Sequence, residues 1–234
     1  MKGRPLRVRR AVAPLLAAAL SVGLATAVAA EPTTGVFGSI EHERVDMTAF
    51  PRWAAVLRDS AQARRPAVAA DCGAARSAAC QSDPWAAIIG TARGLEPMAQ
   101  LQRIDAVLDQ QDYVSDSTNW GRSDHWATPA QFLARGGDCE DFAIAKYMAL
   151  RALGWPASAL RVVIVSDLNL GIRHAVLEAR HAGRRYILDN QIDRPVTDDR
   201  ISHYRPIYSL GEGRWWRHIT PDPARPRSRP PMRQ

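Results

Sequence analysis

Apolar positions recur at helical spacing through the first two thirds of the chain and then switch to strand-like alternation. Phe50, Trp53, Val56 and Leu57 mark a short amphipathic helix. Asp83-Pro84 reads as an N-cap followed by a first-turn proline, opening a helix through Trp85, Ile88 and Ile89. A further helix starts at Pro97, carries Met98, Leu101, Ile104 and Leu108, and ends near Tyr113. Thr128-Pro129 opens a short helix through Phe132 and Leu133, stopped by Gly136-Gly137. Asp138 then caps a longer one, whose apolar stripe of Phe142, Ala145, Ala149, Leu150 and Leu153 runs to Gly154. Strand patterns follow over 160–166, 174–179 and 185–189, with another over 206–210, and Trp215-Trp216 is expected to pack onto the sheet. Residues 31–48 read as an irregular lead-in, 61–82 as a variable loop and 119–129 as a turn-rich segment. Helices, then one central helix, then consecutive strands predict an α+β fold with an antiparallel β-sheet.

The ends change the charge picture. Lys2, Arg4, Arg7, Arg9 and Arg10 precede a small-residue apolar run over 11–27, followed by A-x-A-like cleavage sites, so residues 1–30 are expected to be a signal peptide. Removing those five cations takes the net charge from +7 to +2. Removing the Pro/Arg-rich tail over 221–234, expected to be disordered, brings the body to −1. The basicity therefore lives in the ends, and a nucleic-acid partner, which would need a basic face on the folded body, is not expected. Residues 31–220 suffice for one domain with its own core, in which a helical lead-in over 31–97 precedes the segment 98–220. No stable membrane insertion is expected after cleavage of the leader, so the chain is predicted to be exported.

In an exported chain, Cys72 and Cys80 could close a small disulfide, which leaves Cys139 as the odd cysteine. It lies one residue into the predicted helix after Gly136-Gly137-Asp138, where unpaired N–H groups favour a thiolate and two glycines leave the backbone bare. His174 and Asp189 follow on successive strands, in the order of Cys-His-Asp acyl-transfer enzymes. A hairpin centred between His181 and Ala182 would set His174 directly opposite Asp189, and a centre one residue later would make them diagonal neighbours. His42, His125, His181, His203 and His218 lack such a partner pattern and read as surface or structural.

Asp138, Glu140 and Asp141 surround the thiol, and their charge opposes a thiolate unless it is neutralised. They could serve the first helical turn, with Asp138 and Asp141 as a partial capping arrangement. They could instead hold a hard cation such as Ca²⁺, which takes several oxygen ligands in irregular geometry. Zinc is disfavoured, because no His or Cys other than the nucleophile is close.

The stretch Trp120-Gly121-x-x-Asp124-x-Trp126-x-Thr128-Pro129-x-x-Phe132-Leu133-x-x-Gly136-Gly137-Asp138-Cys139-Glu140-Asp141-Phe142-Ala143-Ile144-Ala145-Lys146-Tyr147 resembles the bacterial transglutaminase-like cysteine proteinases. Leu153-Gly154, Leu160-Arg161, His174-Ala175-Val176-Leu177, Leu188-Asp189-Asn190 and Pro206-Ile207-Tyr208-Ser209 match in order, so the resemblance runs over roughly residues 98–217. The segment before residue 98 and the basic tail match no motif. The resemblance implies a papain-like fold with Cys139, His174 and Asp189 as a triad, and Ca²⁺ held partly by Asp138 and Glu140, with Asp141 a further candidate. Members cleave large surface adhesins near a di-alanine site, and some are sequestered by an inner-membrane receptor that senses cyclic-di-GMP. The resemblance thus implies a periplasmic cysteine endopeptidase controlling biofilm attachment. Alternatives are an acyl transferase or amidase on the same fold, or a non-catalytic calcium-dependent binding module. The Cys139 N–H is the expected oxyanion donor, with Asn119 or Trp120 as a second.

Overall fold

A computed structural model describes residues 34–63 and 83–221. The expected leader, the segment bearing Cys72 and Cys80 that is expected to be a loop, and the tail beyond Pro221 lie outside the described residues. No helix among the described residues is long and apolar enough to cross a membrane.

Among the described residues seven strands form one sheet: β1 (Ile40–Arg44), β2 (Leu160–Asp167), β3 (Ile172–His181), β4 (Arg184–Leu188), β5 (Val196–Thr197), β6 (Tyr204–Gly211) and β7 (Arg214–Ile219). Their order is β1-β7-β6-β2-β3-β4-β5, and every pairing is antiparallel. The helices are α1 (Pro51–Ala63), α2 (Pro84–Ala92), α3 (Pro97–Leu108), α4 (Asp116–Trp120), α5 (Pro129–Arg135) and α6 (Cys139–Ala152).

Strand periodicity sorts the core into two layers. Val162, Ile164, Ala175, Leu177 and Ala179 join the cluster that contains α6, whereas Val163, Val165, Val176, Ile187 and Tyr204 form a second cluster with Val36. Helix α6 is buried all round: every residue from Asp141 to Leu150 is inaccessible. It packs against β2 and β3 on one side and α2, α3 and α5 on another. Full burial of side chains such as Ile144 and Leu150, each worth about 1.5–3 kcal/mol, makes this helix the axis on which the rest is assembled.

Local signals work where the chemistry is local. The Asp83 carboxylate accepts from the N–H groups of Trp85 and Ala86 at 3.0 and 3.3 Å, and Thr128 with Gln131 forms a full capping box ahead of α5. Three expectations need correction. The segment read as an irregular lead-in contains β1, an edge strand whose sequence Ile-Glu-His-Glu-Arg lacks a buried apolar row. Trp215 and Trp216 lie within β7 rather than packing onto the sheet from outside it. Helix α3 stops at Leu108, well short of Tyr113.

The hairpin between β3 and β4 takes the later of the two centres. His181 pairs with Arg184 across Ala182 and Gly183, both at positive φ of 48° and 74°, as a two-residue turn matched to strand twist requires. His174 and Asp189 are therefore diagonal neighbours, and Asp189 follows the last residue of β4.

Candidate active site

Cys139 is the first residue of α6 and the free cysteine among the described residues. Both glycines before it are required by space. Gly136 adopts φ 70°, and a Cβ there would lie 2.3 Å from the Asp112 carbonyl oxygen. A Cβ on Gly137 would lie 2.3 Å from Asp141 Oδ2. The tight approach pulls the loop after α3 onto the nucleophile turn through Val114 N–H to Gly137 O at 2.9 Å.

His174 and Asp189 meet as a buried pair, with His174 Nε2 2.8 Å from Asp189 Oδ1. The Gln191 backbone N–H donates to the same oxygen at 3.0 Å, and the Tyr204 hydroxyl donates to Oδ2 at 2.7 Å. The Gln191 side-chain amide lies 3.4 Å from His174 Nδ1. Burial alone would raise the Asp189 carboxyl, but the His174, Tyr204 and Gln191 contacts outweigh it and hold Asp189 below the usual carboxylate range. The backbone N–H of Ala175, the residue after His174, faces the Cys139 sulfur and favours its thiolate. The structure thus pairs His174 with Asp189 and sets the backbone next to His174 against the Cys139 sulfur at the start of α6.

The acids around the sulfur do the opposite. The thiol donates to Glu140 Oε2 at 3.2 Å. Burial first, then the charges of Glu140 and Asp138, push the Cys139 thiol far up. Burial also raises Asp138 to about 8 and Asp141 to about 7, and raises Glu140 as well. Asp138 makes no side-chain capping bond, so the capping reading of that residue is set aside.

The acids instead gather around a residue that the sequence reading passed over. Asp116, at the start of α4, brings a carboxylate oxygen within 4.8 Å of oxygens from Asp138 and Asp141. A second grouping joins Asp116 to Asp124 and Glu140. Asp116 Oδ1, Asp138 Oδ1 and Asp141 Oδ2 are buried without a hydrogen-bond partner. Their companion oxygens on Asp116 and Asp141 are satisfied, by the His125 N–H and by the Ala127 N–H (2.7 Å) respectively. Three clustered carboxyl groups, each with a buried oxygen lacking a partner, are costly to ionise unless a cation sits among them, and an all-oxygen set fits a hard ion. Asp124 is engaged elsewhere, with Arg52 at 2.9 Å and the Trp126 indole at 3.0 Å.

Of the two suggested oxyanion donors, the Asn119 amide is taken by Gly136 O at 3.3 Å. The buried Trp120 indole N–H has no partner, and its ring lies under the Arg135 guanidinium at 4.6 Å.

Residues 60–220 match the family described as bacterial transglutaminase-like cysteine proteinase, BTLCP. The chain belongs to that family. It is accordingly a cysteine peptidase with the α+β transglutaminase-like fold. The match reaches well upstream of residue 98, where the resemblance read from the sequence begins. Among solved structures, calcium-bound LapG of Legionella pneumophila is 30% identical, with 54% of this chain and 71% of that chain covered at a TM-score of 0.49. The EGTA-treated form of LapG gives 30% identity, 54% and 69% coverage and the same TM-score. A Cytophaga hutchinsonii protein described as a cysteine protease is 20% identical over 67% of this chain and 59% of that chain, at a TM-score of 0.36. No curated protein sequence matches the chain.

Proposed function

We propose that this cysteine peptidase is a calcium-dependent endopeptidase of the periplasm that uses Cys139, His174 and Asp189 as its triad. The observation that carries the reading is the buried His174–Asp189 pair, with the backbone N–H next to His174 against a thiol at a helix N-terminus. Asp189 accepts Nε2–H and so leaves Nδ1 of His174 as the base. Nδ1 takes the Cys139 proton, and the thiolate attacks the peptide carbonyl carbon. The Cys139 backbone N–H is available to the developing oxyanion. The proton on Nδ1 passes to the departing amine, leaving a thioester. Water gives a proton to Nδ1, attacks the thioester and releases the acid, and the proton returns to the sulfur.

The acid cluster is read as the calcium site, with Asp116, Asp138 and Asp141 as ligands and Glu140 beside them. A bound Ca²⁺ would supply the positive charge that offsets these carboxylates near the sulfur. Zinc remains disfavoured by a set made of carboxylates.

The substrate class comes from the family resemblance: large cell-surface adhesins, whose cleavage would control biofilm attachment. Control by an inner-membrane receptor sensing cyclic-di-GMP belongs to the same reading. The division into a leader over 1–30, a proteinase domain over 31–220 and a basic tail, read from the composition of the ends, completes the proposal. Hydrolysis is favoured over transamidation by the peptidase family, and mass spectrometry with an added acceptor amine separates the two.

The test is the rate of Cys139 alkylation in wild type and His174→Ala, with calcium and with chelator. The expected result is a reactive thiol in calcium that slows by about 100-fold or more in His174→Ala. A thiol equally inert or equally reactive in all four conditions would overturn the triad and the metal together.

A further inference from the structure

We propose that Tyr204 is a positioning residue for the His174–Asp189 pair, acting through its phenolic hydroxyl on the carboxylate oxygen that His174 does not use. The inference rests on the triad reading above and deepens it.

The two oxygens of Asp189 have separate tasks. Oδ1 receives His174 Nε2 and the Gln191 backbone N–H, and Oδ2 receives the Tyr204 hydroxyl. Asp189 lies just past the end of β4, outside the ladder that holds Leu188 opposite Leu177. The carboxylate torsion of an aspartate is broad and roughly two-fold, so nothing intrinsic keeps one oxygen toward the imidazole. A donor fixed on each oxygen removes that freedom.

Tyr204 suits the role because it cannot itself wander. It opens β6, is 1% exposed, and pairs with Asp167 of β2. Its ring meets Phe37 edge-on with centroids 5.8 Å apart, His203 at 4.5 Å and the His174 ring at 5.7 Å. Phe37 is in turn held at φ 52° before β1, with its N–H donated to Asp198 Oδ2 at 3.0 Å. Tyr204 therefore touches both members of the pair, and its hydroxyl is fixed by a buttress on the side away from them. Burial and the Asp189 charge push the phenol well above its ordinary value, which keeps it a donor across the whole working range.

The experiment uses the full chain saturated with calcium. Iodoacetamide alkylation of Cys139 is timed at one pH in wild type, Tyr204→Phe, Asp189→Asn and the double variant, alongside ¹⁵N NMR of the His174 ring. Tyr204→Phe keeps the ring packing and is expected to unfold at nearly the wild-type temperature. Its alkylation should slow about tenfold, the size of one hydrogen bond to a charged group. The double variant should be no slower than Asp189→Asn alone, because the hydroxyl acts only through that carboxylate. His174 should pass from a single Nε2–H tautomer to a mixture. Wild-type alkylation with an unchanged ring spectrum in Tyr204→Phe would overturn the inference, as would a loss that multiplies with that of Asp189→Asn. A wild-type thiol indifferent to His174→Ala would show instead that the triad reading had failed, before Tyr204 was touched.

Discussion

The start and the middle of α6 handle the same electrostatic problem differently. At its start, Asp116, Asp138 and Asp141 leave one buried oxygen each without a partner, and no ion pair among the described residues includes any of the three. Two turns along, Lys146 is wholly inaccessible and holds Asp105 at 2.7 Å and Asp109 at 3.0 Å. Even there, burial pushes Asp105 up to about 7 against the pull of Lys146. One cluster carries its counterion in the chain and ties α3 to α6. The other lacks one, and lies beside the only described thiol. A buried acidic group with an internal cation reads as architecture, whereas one without reads as a place for something from solution.

The comparison breaks most visibly at Lys146. Lys146→Met should cost about 3–5 kcal/mol in urea unfolding, because two buried carboxylates lose their counterion. Added calcium should not restore that loss. A calcium-restored Lys146→Met would mean that the two clusters are one site.

A third buried group must be separated from both before pH data are interpreted. His218 sits between Ser39 Oγ at 2.8 Å and Ser209 Oγ at 3.0 Å, and burial lowers it from 6.5 to about 4, with Glu41 opposing and Arg161 and Arg180 assisting. Between those values the unfolded chain binds a proton that the folded chain refuses, so stability falls as pH drops from 6.5 toward 4. The loss from this group alone is at most about 3 kcal/mol. His218→Gln should flatten that limb in pH-dependent denaturation, leaving the acid clusters to account for the rest.

Calcium at about 100 times its dissociation constant should raise the unfolding free energy by about 2.7 kcal/mol. Asp116→Asn, which keeps an acceptor for the His125 N–H, should abolish that gain while leaving the protein folded in chelator. A calcium shift that survives Asp116→Asn would move the site away from the orphaned oxygens. The smallest effect is expected at the solvent side of the cluster. Arg52 pairs with Asp124 with both side chains well exposed, so Arg52→Ala should change stability by no more than about 0.5 kcal/mol and leave the calcium response intact.

How much was legible follows the range of the interactions. The caps at Asp83 and Thr128, the stripe of α6 and the alternation in β2 and β3 are signals within a few residues, and all of them appear in the fold. Strand β1 was missed because an exposed edge needs no apolar row and takes its order from β7, 171 residues away at the Glu43–Arg214 contact. Asp116 was missed for a related reason. It stands on a separate short helix, and only the close approach of Gly136 and Gly137 to the preceding loop carries it to Asp138. Gln191 and Tyr204 carried no motif at all. Gln191 was nevertheless implicit in the later hairpin centre, which sets its position opposite that of His174.

By itself the sequence determined the chemistry on offer: a thiol at a helix start behind two glycines, a His and an Asp following it in order, and acids around the sulfur that could serve the helix end or hold a hard cation. Those features depend on residue type and short spacing, which a linear chain states directly. Only the tertiary structure decided which oxygen of Asp189 meets His174, that Tyr204 holds the other, and that Asp116 completes the acid cluster. Each of those depends on the angle at which distant segments pack. Packing angles come from the summed burial around α6 and the twist of the sheet, and no short stretch of residues contains them.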